Sequence, residues 1–410
     1  MTPLALGIDL GTSGVRIAVI NGAGELLHTQ SSGYRQGLVY PDDWIRAITT
    51  LIQAIPGELR QQIRSLAVDG TSGTLVACNS AGTPLGEALP YSEACPEHAT
   101  HLPELASDGG PAASSSGSLA RALRLIARFG SSVLLRHQAD WVNGWLLQTW
   151  RWGEEGNNLR LGWQLQERRW PKGFEGANWL KALPEIRASG STLGEIAPAI
   201  AKTLGLPAVV TIVAGTTDAN AAVLAANPGP QDGVTVLGTT LVLKRFTNTP
   251  LIGPGITSHR IAGRWLCGGA SNTGGAVLRQ EFPEIDLTEL SRQINPEQSS
   301  GLNYRPLPGV GERFPVDDSL LEPVLRPRPV SDALHLHGLL EGMAQIEAEG
   351  WMRLTALGAE PPQRVITLGG GARNPQWRRL RERAIGCAVV SSQAPPAAGV
   401  ARLALLAFNI

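Results

Sequence analysis

The 410-residue chain sets 35 Lys and Arg against 35 Asp and Glu, and 43 % of it is hydrophobic. That balance leaves no basic field for nucleic acid or an anionic lipid surface, and no stretch approaches the ~20 apolar residues of a membrane span. The length exceeds what one core serves, so two domains are expected, acting on a small, neutral or locally anionic ligand. Cys78, Cys95, Cys267 and Cys387 show no CxxC spacing, which fits reduced thiols. The start, MTPLALGIDLG, has no cationic n-region, so a cytoplasmic location is expected. His98 with His101, and His335 with His337, are spaced as metal pairs or as ordinary histidines; with no further Cys or His close by, the second reading is favoured.

Two short runs rich in branched residues, Ala5–Leu10 and Val15–Ile20, flank Gly11-Thr12-Ser13-Gly14 and read as a β-hairpin. Its tip offers N–H groups and two hydroxyls to a phosphate oxygen, and Asp9 at its mouth can hold Mg²⁺ or its waters. The same glycines would also serve an ordinary strain-relieving turn. No G-x-x-x-x-G-K-[ST] loop occurs. Residues 25–29 extend the hairpin to a three-stranded meander, and a helix follows from Pro41, capped by Asp42 or Asp43, with Trp44, Ile48, Leu51, Ile52 and Ile55 on one face. The strand 63–69 then runs into Asp69-Gly70-Thr71-Ser72-Gly73, an echo of the first loop.

Residues 106–117 read as a loop, and Ser118 as the cap of a helix with Leu119, Leu123 and Ile126 inward and Arg121, Arg124 and Arg128 on a solvated face. A further amphipathic helix begins at Gln138, and Trp150, Trp152, Trp163, Trp170 and Trp179 mark a loop-rich wall that could border a sugar. A strand over 208–214 delivers Gly215-Thr216-Thr217-Asp218 to a helix start. Asp218 there is either an ionised, exposed carboxylate or simply the helix cap. After the linker Asn227-Pro228-Gly229-Pro230, residues 234–243 repeat the strand, Gly-Thr-Thr turn, strand pattern, as an internal duplication with two loops facing a cleft would. Gly369-Gly370-Gly371 closes a strand at residue 368 and lets a flat ring or a phosphate approach the backbone, although the spacing is not GxGxxG. The last helix, 399–408, is apolar and is expected to pack back on the body.

Six motifs in order carry a resemblance over nearly the whole chain. They are Asp9-Leu10-Gly11-Thr12-Ser13, Asp69-Gly70-Thr71-Ser72-Gly73, Gly215-Thr216-Thr217-Asp218, Leu237-Gly238-Thr239-Thr240, Gly311-Glu312-Arg313-Phe314-Pro315 and Gly369-Gly370-Gly371-Ala372-Arg373-Asn374. The chain resembles the FGGY-type carbohydrate kinases, closest to the short, xylulokinase-like D-ribulose kinases of photosynthetic organisms. The resemblance implies an α/β protein with two RNase H-like domains of the actin, hexokinase and Hsp70 superfamily around a cleft. An N-terminal domain would span 1–227 and a C-terminal one 228–395, with a helix over 396–410 packing on the first. It implies an enzyme using ATP and Mg²⁺ to phosphorylate a pentulose, D-ribulose ahead of D-xylulose or another polyol. Asp9 would hold Mg²⁺ and border the substrate, and Thr12 and Ser13 would meet the transferred phosphate. Gly238, Thr239 and Thr240 would cradle phosphates, and Gly369, Gly370, Gly371 and Asn374 would border the adenosine. Asp218 would be the catalytic base and Ser72 would reach the sugar.

One departure stands out. Larger members carry a Trp-x-Asp-x-Arg sugar clamp where this chain has Tyr91-Ser92-Glu93-Ala94-Cys95, so the arginine is lost and the acid lengthened. That weighs against D-xylulose and glycerol, and leaves Asn157 as a candidate remaining sugar contact. The alternative of another class is a non-catalytic, nucleotide-driven clamp or scaffold of the actin and Hsp70 type, against which Asp218 speaks.

Overall fold

The structure is a computed structural model that describes residues 3–106 and 110–408. Parts of the expected loop over 106–117 and of the terminal segment 396–410 lie outside the described residues. The chain divides into two compact units: Met1–Ala225 with Arg260–Gly263 and Ala394–Ile410, and Ala226–His259 with Arg264–Gln393.

In the first unit, β1 (Leu4–Leu10), β2 (Gly14–Ile20) and β3 (Leu26–Gly33) form the antiparallel meander, and β3 runs four residues beyond its expected end. On the other side of β1, β4 (Ile63–Gly70) pairs parallel; then come β5 (Thr192–Glu195) at the edge and β6 (Thr211–Val213) between it and β4, giving the order β3-β2-β1-β4-β6-β5. Residues of β1 are buried on both faces, as a central strand covered on each side requires. Helix α1 (Pro41–Ala54) lays Trp44, Ile48, Leu51 and Ile52 into that core. Its expected acid cap is absent. Tyr40 occupies the cap position with no side-chain bond. Buried Asp43 instead turns back to accept from the Gln36 and Gly37 N–H groups, at 2.8 and 3.3 Å, and from Arg46. The carboxylate thus serves the preceding loop rather than the helix.

Between β4 and β5 the chain builds a satellite core around Leu119, Leu135, Leu161 and Phe174. Trp163, Trp170, Phe174 and Trp179 join in sequence at ring-centroid distances of 5.3, 6.1 and 5.0 Å, so most of the aromatic wall is packing. Helix α2 (Ser118–Phe129) belongs to this satellite, and here two expectations fail. Gly117 is the cap residue, and the buried Ser118 hydroxyl bonds His137 Nε2 at 3.0 Å. The arginine face is solvated only in part: Arg128 is exposed, but Arg121 is fully buried and Arg124 is half-buried and pinned to Glu93 and Glu97. Helix α3 (Gln138–Leu147) and, after β6, helix α4 (Asp218–Ala225) complete this part of the unit.

The C-terminal helix Pro396–Ala404 closes the core by backbone-to-backbone approach. A Cβ on Gly7 would lie 1.9 Å from the Ala397 carbonyl oxygen, and one on Gly399 would lie 1.9 Å from that of Ala221 in α4. Gly399→Ala is therefore expected to destabilise the protein by about 1–3 kcal/mol despite alanine's better helix propensity. Thermal unfolding checks this, and a melting temperature at or above wild type would contradict the packing.

The second unit repeats the plan. Strands β7 (Asp232–Leu237), β8 (Leu241–Thr247), β9 (Ile256–Ile261), β10 (Arg264–Ser271), β11 (Arg364–Leu368) and β12 (Ala388–Ser391) take the order β9-β10-β8-β7-β11-β12. An antiparallel portion again gives way to parallel pairing of β7 with β11 and of β11 with β12. The long helix α5 (Asp332–Ala356), capped by Ser331, and α6 (Pro375–Ile385), capped by Asn374, cover one side. All four cysteines are free thiols. Among the described residues no helix is long and apolar enough to cross a membrane.

Candidate functional site

In each unit the chemistry collects at the carboxyl ends of adjacent parallel strands, where an open α/β sheet presents its loops. In the first unit these strands are β1, β4 and β6. Asp9 and Asp69 are direct partners in the parallel register, and the next position pairs Gly70 with Thr217. The loops 9–14, 69–74 and 215–218 thus lie side by side. Gly11 N–H donates to the Gly14 carbonyl at 2.9 Å, closing the first turn and leaving Thr12 and Ser13 exposed at its tip. The Thr12 hydroxyl meets the Tyr91 hydroxyl at 3.3 Å.

Asp9 is buried, and one carboxylate oxygen takes Arg16 Nη1 at 3.2 Å. Asp69 is fully buried, and neither of its oxygens takes an N–H or hydroxyl donor among the described residues; the Asp9 carboxyl is its polar neighbour. Burial first, then the neighbouring Asp9 charge, pushes the Asp69 carboxyl well above the usual carboxylate range. Sequence reading paired the two loops but did not see that the acids themselves would be adjacent. Two neighbouring carboxylates fit a small hard cation that keeps most of its waters, as Mg²⁺ does. Among the described residues no group of three or more His, Cys, Asp or Glu is placed to hold a metal.

Asp218 is half-buried at the start of α4. The capping work falls to its neighbour, because Thr217 Oγ1 accepts from the Asn220 N–H at 3.4 Å. Asp218 accepts from the Ala219 N–H at 2.8 Å and from the Ser72 N–H. Burial pushes its carboxyl up to about 6, Asp9 adds to the rise, and the two N–H groups and Arg160 oppose it. A carboxylate so poised can take a proton near neutral pH. Ser72 is half-buried beside it, on a loop held by Gln138 Oε1, which accepts from Thr71 N–H at 3.1 Å and Thr71 Oγ1 at 2.7 Å.

Asn157 lies elsewhere in this arrangement. It is 1 % exposed, and its Nδ2 is shared between Glu154 at 2.9 Å and the Thr216 carbonyl at 3.3 Å. It holds the 216–218 turn from behind. A second constellation invites misreading: Ser118 Oγ lies 3.0 Å from His137 Nε2, and His137 Nδ1 lies 3.7 Å from Asp140. All three are at most 2 % exposed, so the hydroxyl cannot reach an acyl group, and the trio ties α2 to α3.

In the second unit the tips after β7 and β11 border one pocket of about 800 Å³. Gly238, Thr239, Gly370, Gly371 and Asn374 line it together with Leu278, Arg279, Ser291, Arg292 and Trp377. Thr240 and Gly369 stand behind the wall. The Thr240 carbonyl accepts from the Gly238 N–H at 3.1 Å, and Gly369, at φ +87°, would bring a Cβ within 2.4 Å of the Leu237 carbonyl oxygen. Asn374 is fully engaged, capping α6 through the Trp377 N–H at 2.9 Å and donating to Ser291 at 2.8 Å. Apolar walls with exposed glycine backbone suit a nucleotide's flat base and its phosphates.

Comparison with known proteins finds similarity in sequence and in fold. Residues 233–408 match the C-terminal domain of the FGGY family of carbohydrate kinases. The xylulose kinase of Escherichia coli (strain K12) is 22 % identical over 98 % of this chain and 90 % of its own. A xyloylose kinase from Brucella ovis superposes with a TM-score of 0.86 over 99 % of this chain and 90 % of its own, at 19 % identity. Plasmodium falciparum glycerol kinase with ADP superposes with a TM-score of 0.81 over 100 % and 90 %, at 16 % identity. These structures establish the α/β fold, and the match over residues 233–408 makes that part of the chain similar to the C-terminal domain of the FGGY carbohydrate kinases.

Proposed function

We propose that the protein is an ATP-dependent sugar kinase that phosphorylates a pentulose, with D-ribulose as the expected substrate. The observation that carries the reading is Asp218, a carboxylate held near 6 beside Ser72 and Asp9, at the strand ends where loops converge. A nucleotide-driven clamp has no use for such a base. ATP in the pocket of Gly238, Thr239, Gly370 and Gly371 donates its γ-phosphoryl group. The sugar oxygen forms the new O–P bond, the bond to the β-phosphate oxygen breaks, ADP leaves, and the hydroxyl proton goes to Asp218. Thr12 and Ser13 offer hydroxyl and N–H donors to the transferred group, and Ser72 orients the sugar. Asp9, with Asp69 beside it, would hold Mg²⁺, which would supply charge neutralisation on the phosphates.

A second reading, a D-xylulose kinase, is favoured by the relative of that name. The altered clamp at Tyr91–Cys95 favours D-ribulose. Coupled ADP release with MgATP and D-ribulose, L-ribulose, D-xylulose, glycerol or no sugar separates these readings. Strong stimulation by D-ribulose is the expected result. Stimulation by D-xylulose alone would move the assignment to the second reading, and equal slow release in every well would favour the clamp.

A further inference from the structure

An arginine from another part of the chain reaches the stretch from which the clamp arginine is missing. Arg121 reaches from α2 across the satellite core, is 0 % exposed and makes no ion pair among those found in the described residues. Its Nε donates to the Gly73 carbonyl at 3.0 Å, and its Nη1 donates to the carbonyls of Tyr91 at 3.2 Å and Glu93 at 2.6 Å. Its Nη2 is buried with no partner among the described residues. A guanidinium buried against main-chain carbonyls alone is expensive, and apolar packing of the same volume would serve stability better. What only the rigid planar fork supplies is fixed geometry between two separate segments.

Those segments are the ones that matter. Gly73 sits at φ +107°, and a Cβ there would lie 2.8 Å from Arg121 Nη2, so loop and guanidinium are fitted to one another. One residue back, the Ser72 N–H donates to Asp218. On the other side, Tyr91 N–H donates to Thr74 Oγ1 at 3.2 Å, and the partly exposed Tyr91 ring sends its hydroxyl to Thr12. We infer that Arg121 is a positioning residue that holds the Tyr91–Glu93 wall and the Ser72–Asp218 pair in one register, and so sets which ketose is turned over. This rests on the kinase reading. Arg121 acts through Gly73 and Tyr91 and touches no reacting atom. The wall recognises hydroxyls of a neutral sugar, and its spacing from Asp218 decides which hydroxyl the base can reach.

The test compares wild type, Arg121→Met and Arg121→Lys in the coupled assay, with kcat and KM measured for each pentulose and for ATP, alongside thermal unfolding. Lysine keeps the charge but not the fork, and it carries the test if the methionine variant fails to fold. Expected for both variants is a loss of about 100-fold in kcat/KM for the preferred pentulose. The preference between pentuloses should collapse, with KM for ATP changed by no more than about twofold. Full selectivity in Arg121→Lys would overturn the inference, because charge alone would then suffice. Parallel losses toward sugar and ATP in step with a lowered melting temperature would overturn it too, leaving Arg121 merely structural. If wild type itself shows no sugar-stimulated ADP release, the kinase reading fails and takes the inference with it, a result told apart by which protein is inactive.

Discussion

Asp218→Asn is expected to lose sugar phosphorylation by a factor of about 10³–10⁴ while nucleotide still binds with wild-type affinity. Asparagine keeps the shape and can still accept from Ser72 and Ala219, but it cannot take the sugar proton. Wild-type kcat should fall on the acid side with a midpoint near 6, because below it the carboxyl already carries a proton. Each further pH unit then removes about nine-tenths of the ionised base. A second consequence follows from linkage. The carboxyl rises from its ordinary 3.8 to about 6 on folding, so the native state binds the extra proton between those values. Stability attached to this group is therefore present at low pH and is lost as pH rises through the folded value. Asp218→Asn should accordingly melt higher than wild type at neutral pH and show little advantage at pH 4, a trade of stability for activity at one residue. A flat pH–rate profile down to pH 5, or wild-type turnover in the variant, would end the assignment of Asp218 as the base.

The parts legible in the chain were those written locally. Asp9 with its Gly-Thr-Ser-Gly turn, the Asp69 loop and the Gly238–Thr240 tip each announce themselves as branched residues running into glycine, and each lies at a strand end. What could not be read was set by partners far away in sequence. Helical periodicity assigned Arg121 to a wet face, but Gly73 lies 48 residues back and Tyr91 30 residues back, and they bring the acceptors that make its burial tolerable. Asp43 failed as a cap for a similar reason, since its carboxylate is taken by the N–H groups of the 36–37 turn. The adjacency of Asp9 and Asp69 needed the parallel register, which residue patterns do not state. Asn157 became a candidate for the sugar because the Tyr91–Cys95 stretch lacks the clamp arginine. Its Nδ2 partners, Glu154 and the Thr216 carbonyl, make it a brace for the turn that carries Asp218.

Arg381→Met is expected to destabilise the protein by about 3–5 kcal/mol, because it strands Glu347 in the second unit's core. The pair is bidentate, with Nε to Oε2 at 2.5 Å and Nη2 to Oε1 at 2.8 Å, and both side chains are at most 1 % exposed. Arg381 Nη1 also donates to Thr367 Oγ1 at 2.8 Å, and Thr235 Oγ1 donates to Glu347 Oε1 at 2.5 Å. Thr235 and Thr367 are register partners on β7 and β11, the two strands whose ends carry Gly238 and Gly369. One ion pair on α5 and α6 thus clamps both strands beneath the nucleotide pocket. Replacing both partners, Arg381→Met with Glu347→Leu, removes the stranded charge, so the double variant should lose much less than the sum of the two single ones. Denaturant titration of the three proteins reads that difference directly, and simple additivity would mean the two groups do not sense each other. The same loosening should reach the pocket, so the single variant's KM for ATP should rise well before its KM for the sugar. Equal rises in both would place the effect in global unfolding instead of in the strand ends that hold the phosphates.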